Sequence, residues 1–290
     1  MLDVLLITAI QIIVEALPVS SSGHAVLAQL LWEKYAMRPL TPLPDFFDHF
    51  LHGPTVVVLL VVFFKDWFSS AQRLLCAWWA LVCGHRAMTW SERRLSQLFF
   101  KVFGFICAAD AVTAIAYFSK IALGRYAAIF IDPRVLLGCF VVTLLLLLSL
   151  LFVGRWAGTG CTLTLGRALA FGAAQGIAYL LTGISRLGIT YVVGRWTGLS
   201  PRRSFQFSFL IQFPLIAAAF AINGIRGMCS APEVGAFVNV PMLATMLGAT
   251  IVAGFLFAGV YRLALQRRLW WFGVYLVVPI GILVMLMLGR

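Results

Sequence analysis

Uncharged runs long enough to cross a lipid bilayer constrain this chain more than any motif does. Val135–Val153 and Leu269–Leu288 contain no charged residue, and about twenty apolar residues suffice to span the hydrocarbon core. Six full spans are expected, roughly at 50–64, 98–118, 134–154, 205–224, 236–261 and 269–289. With 62% hydrophobic and only 11% charged residues in 290, the chain cannot coat a water-soluble surface, which normally draws on about 25% charged residues. The net charge of +12 comes from basic residues placed between the apolar runs. They read as topology signals and lipid-headgroup contacts, not as a nucleic-acid surface. The N-terminus lacks a basic leader, and Glu15 interrupts the first apolar run, so no cleaved signal peptide is expected. Cys76, Cys107 and Cys139 lie in apolar segments without metal-ligand spacing and read as small buried hydrophobes.

The chain also repeats itself. Gln11-x3-Glu15-x2-Pro18-x2-Ser21 matches the spacing of Gln175-x3-Tyr179-x2-Thr182-x2-Ser185, and Phe47–Pro54 lines up with Phe207–Pro214 at nearly the same offset. Two matches in the same order indicate a duplicated unit, residues 1–160 and 161–290. In each unit an apolar stretch is interrupted, by Val-Ser-Ser-Ser-Gly in the first and by Thr-Gly-Ile-Ser-Arg in the second. Paired broken helices at corresponding positions point to a binding site at a repeat interface. Irregular backbone at that depth must lie inside protein or along a polar cavity. The expected fold is therefore an all-α integral membrane protein with two re-entrant segments. Three full spans separate the broken segments, so the repeats are inverted. The run Leu74–Val82 is too short to span and is expected at the interface. Lysines and arginines divide roughly fourteen against seven between the two sides, which puts the richer side in the cytoplasm. Both termini and the site opening then face the periplasm.

Glu15 and Arg186 are charges at membrane depth, in corresponding broken helices. Such charges face a cavity or a partner, so a structural ion pair between them is one reading. The other follows from their neighbours. Ser20, Ser21, Ser22 and Gly23 precede an apolar helix and form a natural anion cradle at its N-terminus. Arg186 can grip a phosphate with its planar fork. Glu15 can hold a divalent cation shared with phosphate oxygens. His24 suits proton transfer near neutrality, although a helix-start histidine bonded to backbone is its plainer reading. These are the parts of phosphoryl transfer. Asp110 reads as a helix–helix hydrogen-bonding residue with a cavity role open, and Asp48 and His52 as the edge of the site.

Gln11-Ile-Ile-Val-Glu15-Ala-Leu-Pro-Val-Ser-Ser-Ser-Gly-His24 resembles the first signature of the undecaprenyl-diphosphate phosphatases, (E/Q)xxxE followed by PVSSxGH. Thr182-Gly-Ile-Ser-Arg-Leu-Gly-Ile-Thr190 resembles the second, PGxSRSxxT, without its proline and second serine. The resemblance implies hydrolysis of undecaprenyl pyrophosphate to undecaprenyl phosphate at the outer face of a bacterial inner membrane, with magnesium or calcium. It implies Ser21 as nucleophile with His24 as acid/base, histidine attack remaining the alternative. Ser185, Arg186 and Thr190 would hold the pyrophosphate, with Gly183 retained. Glu15, helped by Gln11, would bind the cation or tune His24. The departures mark a divergent member. Inverted repeats with broken helices equally suit a polyprenyl-phosphate carrier with little phosphatase activity. The lipid length and the oligomeric state, a homodimer included, stay open.

Overall fold

The computed structural model describes residues 2–37, 41, 43–122, 132–153, 162–230 and 238–288, with the side chains of 45, 65 and 66 left aside. Arg38, Arg125, Arg155, Arg290 and the Lys65 side chain, all used in the topology count, lie outside the described residues. Every described element is helical. In order these are α1 (Leu2–Glu15), α2 (Ser21–Ala36), α3 (Asp45–Phe50), α4 (His52–Val82), α5 (Trp90–Ala122), α6 (Pro133–Val153) and α7 (Leu165–Leu180). Then come α8 (Arg186–Trp196), α9 (Pro201–Ala218), a π-helical stretch (Ala219–Ile225), α10 (Arg226–Ser230), α11 (Val240–Leu265), α12 (Trp271–Tyr275) and α13 (Val277–Leu288).

Six helical stretches are long and apolar enough to cross a membrane: Phe46–Phe64, Trp90–Ala122, Pro133–Val153, Pro201–Ser230, Val240–Leu265 and Trp271–Leu288. They overlap the six expected spans one for one. Their outer faces stay uncovered by protein, with Phe255 77% and Met285 75% exposed, as lipid-facing walls require. The protein is thus a multi-pass membrane protein. One segment is extended and one expectation, that of buried cysteines, is corrected. Leu74–Val82 is continuous with the span before it and forms the end of α4, which is 31 residues long. At 1.5 Å per residue α4 reaches about 46 Å, well past the bilayer core, because nothing between Phe64 and Leu74 breaks a helix. Of the three cysteines only Cys139 is buried, whereas Cys76 and Cys107 are exposed.

Side-chain caps start the helices where the sequence places them. Thr164, Ser200 and Asn239 accept from the backbone N–H groups of Arg167, Arg203 and Met242, satisfying donors that a helix start leaves open. Packing divides by size. Phe63, Phe205, Phe209 and Phe257 interlock between α4, α9 and α11 at ring separations of 4.8–6.2 Å. Across α5 and α7 small residues bring backbones together instead. A Cβ on Gly172 would fall 2.3 Å from the Ala109 carbonyl oxygen, and one on Gly176 3.0 Å from the Ala116 methyl. Small residues play this part between helices in lipid, where burial of apolar area gives no advantage. Pro214 lies inside α9, and the π-helical stretch follows it. There Gly224 packs against the backbone of His49 and Phe50, seating α3 next to the first helix break.

Candidate functional site

The site begins at two breaks in otherwise apolar helices. α1 stops at Glu15 and α2 starts at Ser21; α7 stops at Leu180 and α8 starts at Arg186. Each second helix is capped the same way. The Ser20 hydroxyl accepts from the Gly23 N–H at 3.2 Å, and the Ser185 hydroxyl accepts from the Gly188 N–H at 3.0 Å. The caps pair Ser20 with Ser185 and Ser21 with Arg186. The sequence register, which pairs Ser21 with Ser185, is therefore off by one residue at this point.

The two breaks touch. A Cβ on Gly23 would lie 3.0 Å from the Gly183 Cα, and one on Gly188 would lie 3.1 Å from the Pro18 carbonyl oxygen. Gly183 itself has φ +109°, a conformation open to glycine alone without strain. Thr143 of α6 steadies the second break. Its hydroxyl lies 3.3 Å from the Gly183 carbonyl oxygen and accepts from the Ser185 N–H at 3.4 Å.

Between the breaks lies the buried Glu15 carboxylate, with its side chain 3% exposed. Arg186 Nη2 lies 3.1 Å from Oε1, His52 Nδ1 lies 3.0 Å from the same oxygen, and the Thr55 hydroxyl donates to Oε2 at 2.7 Å. A lone carboxylate here would cost several kcal/mol (order of magnitude) in desolvation. The guanidinium, the imidazole and the hydroxyl, drawn from α8 and α4, compensate it. One step further out, Gln11 Nε2 donates to Asp48 Oδ1 at 3.2 Å. Asp48, His49 and His52 present donor atoms within 4.8 Å of one another.

The other expected site residues are placed as follows. Ser20 is buried, Ser21 half-buried and Ser22 exposed, and the Ser20 and Ser22 hydroxyls are 3.4 Å apart. Ser185 is a cap. The Thr190 hydroxyl donates to the Arg186 carbonyl at 2.7 Å, so it shapes the turn that carries Arg186. His24 turns to the α12 side: Nδ1 is 2.7 Å from the Ser20 carbonyl oxygen and Nε2 is 3.2 Å from the Tyr275 hydroxyl. The histidine on Glu15 is therefore His52, expected only at the edge. Asp110 accepts from Gln175 at 3.4 Å across α5 and α7, the helix–helix contact expected of it. Thr55 was missed, although it stands one helical turn beyond His52. Thr143 and Tyr275 were missed for want of any local signal.

The two oxygens of Glu15 already have Arg186, His52 and Thr55 around them. Asp48 is exposed and, with the Gln11 side-chain carbonyl, supplies the oxygen donors that magnesium and calcium prefer. The residues present thus suit a cation on the Asp48 side of the ion pair.

Residues 4–283 match the family described as Bacitracin resistance protein BacA. Curated relatives span almost the whole chain. A protein of Desulfatibacillum aliphaticivorans named undecaprenyl-diphosphatase is 32% identical, with 94% of each chain covered. Proteins with that name from Mycobacterium avium and Trichlorobacter lovleyi are 31% and 29% identical, covering 96% and 100% of this chain and 94% and 97% of their own.

Proposed function

Because the chain belongs to the bacitracin resistance protein BacA family, we infer that it hydrolyses undecaprenyl pyrophosphate to undecaprenyl phosphate and inorganic phosphate. The carrier lipid is thereby returned to cell-wall synthesis. The observation that carries the reading is the Arg186–Glu15–His52 network, built on a buried carboxylate where two helix breaks abut. Helix N-termini and a guanidinium favour the charge of a pyrophosphate.

The residue roles follow from position. Ser21 opens α2 and is half-buried, while its neighbours are a buried cap and an exposed rim. Ser21 Oγ attacks the terminal phosphorus, the bond to the bridging oxygen breaks, and undecaprenyl phosphate leaves with the electron pair. Water then cleaves the phosphoserine. His24 lies three residues on along the same helix, so the two share a face, and His24 takes and returns the proton. Arg186 holds the equatorial oxygens through the edge it leaves exposed, its side chain being 26% accessible. Glu15 fixes Arg186 and His52. A divalent cation held by Asp48, beside Gln11 and His52, would neutralise pyrophosphate charge when bound.

We further propose that the two breaks are the tips of inverted re-entrant hairpins in repeats 1–160 and 161–290. Their matching caps support this. The arginine-rich ends lie on the cytoplasmic side of the bacterial inner membrane, and both termini and the site opening lie on the periplasmic side. A C-terminal cysteine labelled by an impermeant reagent only after lysis would sink that topology.

Phosphate release from C15 and C55 polyprenyl pyrophosphates by purified protein in detergent tests the function, since hydrolysis needs no second compartment. Ser21→Ala is expected to abolish release, while Ser22→Ala keeps a measurable fraction. Excess chelator should also stop it. Normal release by both Ser21→Ala and His24→Ala would reject the catalytic reading of this segment and favour a lipid carrier.

A further inference from the structure

The His24 ring is held from three sides. The Ser20 carbonyl oxygen, 2.7 Å from Nδ1, can only accept, so Nδ1 carries the proton. Nε2 then keeps its lone pair, and the Tyr275 hydroxyl at 3.2 Å donates to it. The Tyr275 ring lies nearly parallel to the imidazole, with centroids 5.8 Å apart at 11°, and Phe140 meets the imidazole at 5.3 Å and 61°.

Tyr275 is the last residue of α12, at the turn into α13. It comes from the far end of the chain and is 44% exposed. Core packing therefore does not demand a tyrosine; a phenylalanine would fill the same space. What tyrosine adds is one O–H directed at one nitrogen. The backbone at Ser20 is in turn held at φ +69°, so the carbonyl that grips Nδ1 is itself fixed by an uncommon turn.

We propose that Tyr275 is a positioning residue for hydrolysis, holding the ring of His24 in place while the Ser20 carbonyl keeps it as the Nδ1–H tautomer with Nε2 as its basic nitrogen. The proposal rests on the reading of His24 as the proton-handling group. When Ser21 attacks, the Tyr275 O–H turns off Nε2, and the single lone pair so freed takes the Ser21 hydroxyl proton. The Tyr275 hydroxyl keeps its own proton and offers a lone pair to the new N–H. When the proton is handed on, the original contact re-forms. Tyr275 is assigned no contact with substrate or with Ser21 and acts only through His24.

The test compares Tyr275→Phe, Tyr275→His and Tyr275→Leu in a steady-state phosphate-release assay, with His24→Asn alongside. Tyr275→Phe keeps the ring and loses the hydroxyl. Its kcat is expected to fall at least about fivefold with KM within about twofold, the pattern of a lost interaction that matters to the chemical step. Tyr275→His, which returns a ring N–H donor, should recover at least about threefold of that loss, and Tyr275→Leu should recover none. A Tyr275→Phe enzyme within about twofold of wild type, with His24→Asn inactive, overturns the proposal and leaves the catalytic reading standing. Equal losses in all three Tyr275 variants, or a KM that rises as kcat falls, overturn it as well, pointing to packing or to substrate contact. A fully active His24→Asn removes its premise and the His24 assignment with it. Should Tyr275→Phe not fold, the Tyr275→His and Tyr275→Leu pair carries the same comparison.

Discussion

The two helix breaks share one construction and carry opposite chemistry. In each, a serine caps the second helix through the N–H of a glycine three residues on. In each, a glycine lies against the backbone of the other break. At the first helical position the first break presents the hydroxyl of Ser21, and the second presents the guanidinium of Arg186. The first break also delivers Glu15 from the helix before it. The helix before the second break ends instead at Leu180; its neighbour Tyr179, which the sequence spacing pairs with Glu15, has its ring under Lys120 at 4.7 Å and its carbonyl accepting from the same amine. Neither break is a site alone. In the mechanism proposed above, the nucleophile Ser21 and the carboxylate of Glu15 stand on one side and the clamp on the other, and the Arg186–Glu15 contact joins them.

The largest test of that division alters Glu15 and the residue that the sequence spacing pairs with it. Glu15→Gln removes the charge that Arg186 and His52 share. It should lower kcat by at least about a hundredfold, since the clamp and its neighbour lose their common anchor. Tyr179→Phe leaves both Lys120 contacts in place and should stay within about threefold of wild type. Similar losses in single-turnover assays at equal folded amounts would mean that the breaks are not specialised as described. Next in size is Arg186→Lys, which keeps the charge and loses the planar fork. A rate loss of at least about tenfold, or about 1.4 kcal/mol, is expected. A near-normal rate in well-folded protein would reduce Arg186 to a structural partner of Glu15.

What could be read from the sequence was whatever a residue declares by itself. Hydropathy is local, so the six spans emerged with only their ends displaced. Glu15 and Arg186 declared themselves because charge in lipid needs a reason, and the serine–glycine runs announced helix starts. What stayed hidden depends on packing. That His52 and Thr55 close on Glu15 requires α4 to lie against α1, which no spacing within α4 reveals. That Ser20 and not Ser21 matches Ser185 emerges only from which hydroxyl meets which N–H. That His24 faces Tyr275 joins residues at opposite ends of the chain. The length of α4 went unread for a simpler reason: hydropathy reports where a span ends, and lysine and aspartate interrupt hydrophobicity without breaking a helix.

The smallest expected difference separates the two caps. Ser20 and Ser185 make the same hydrogen bond, but Ser20 does so at φ +69° and Ser185 at φ −75°. A left-handed backbone costs a residue with a Cβ roughly 1–2 kcal/mol, and glycine escapes that cost. Against this, glycine adds freedom to the unfolded chain, worth about 0.4–1 kcal/mol, and as a cap it gives up only a few tenths. At Ser20 these effects oppose one another, so Ser20→Gly should remain within about 0.5 kcal/mol of wild type. At Ser185 no strain is relieved and the losses add, so Ser185→Gly should be destabilised by about 1 kcal/mol. Thermal unfolding of the two variants in one detergent reads the difference directly. Equal destabilisation would mean that the left-handed turn at Ser20 stores no strain, and that the breaks are alike in backbone as well as in cap. A more stable Ser20→Gly with reduced turnover would mean that the strain at Ser20 serves to aim its carbonyl at His24 and not to hold the fold.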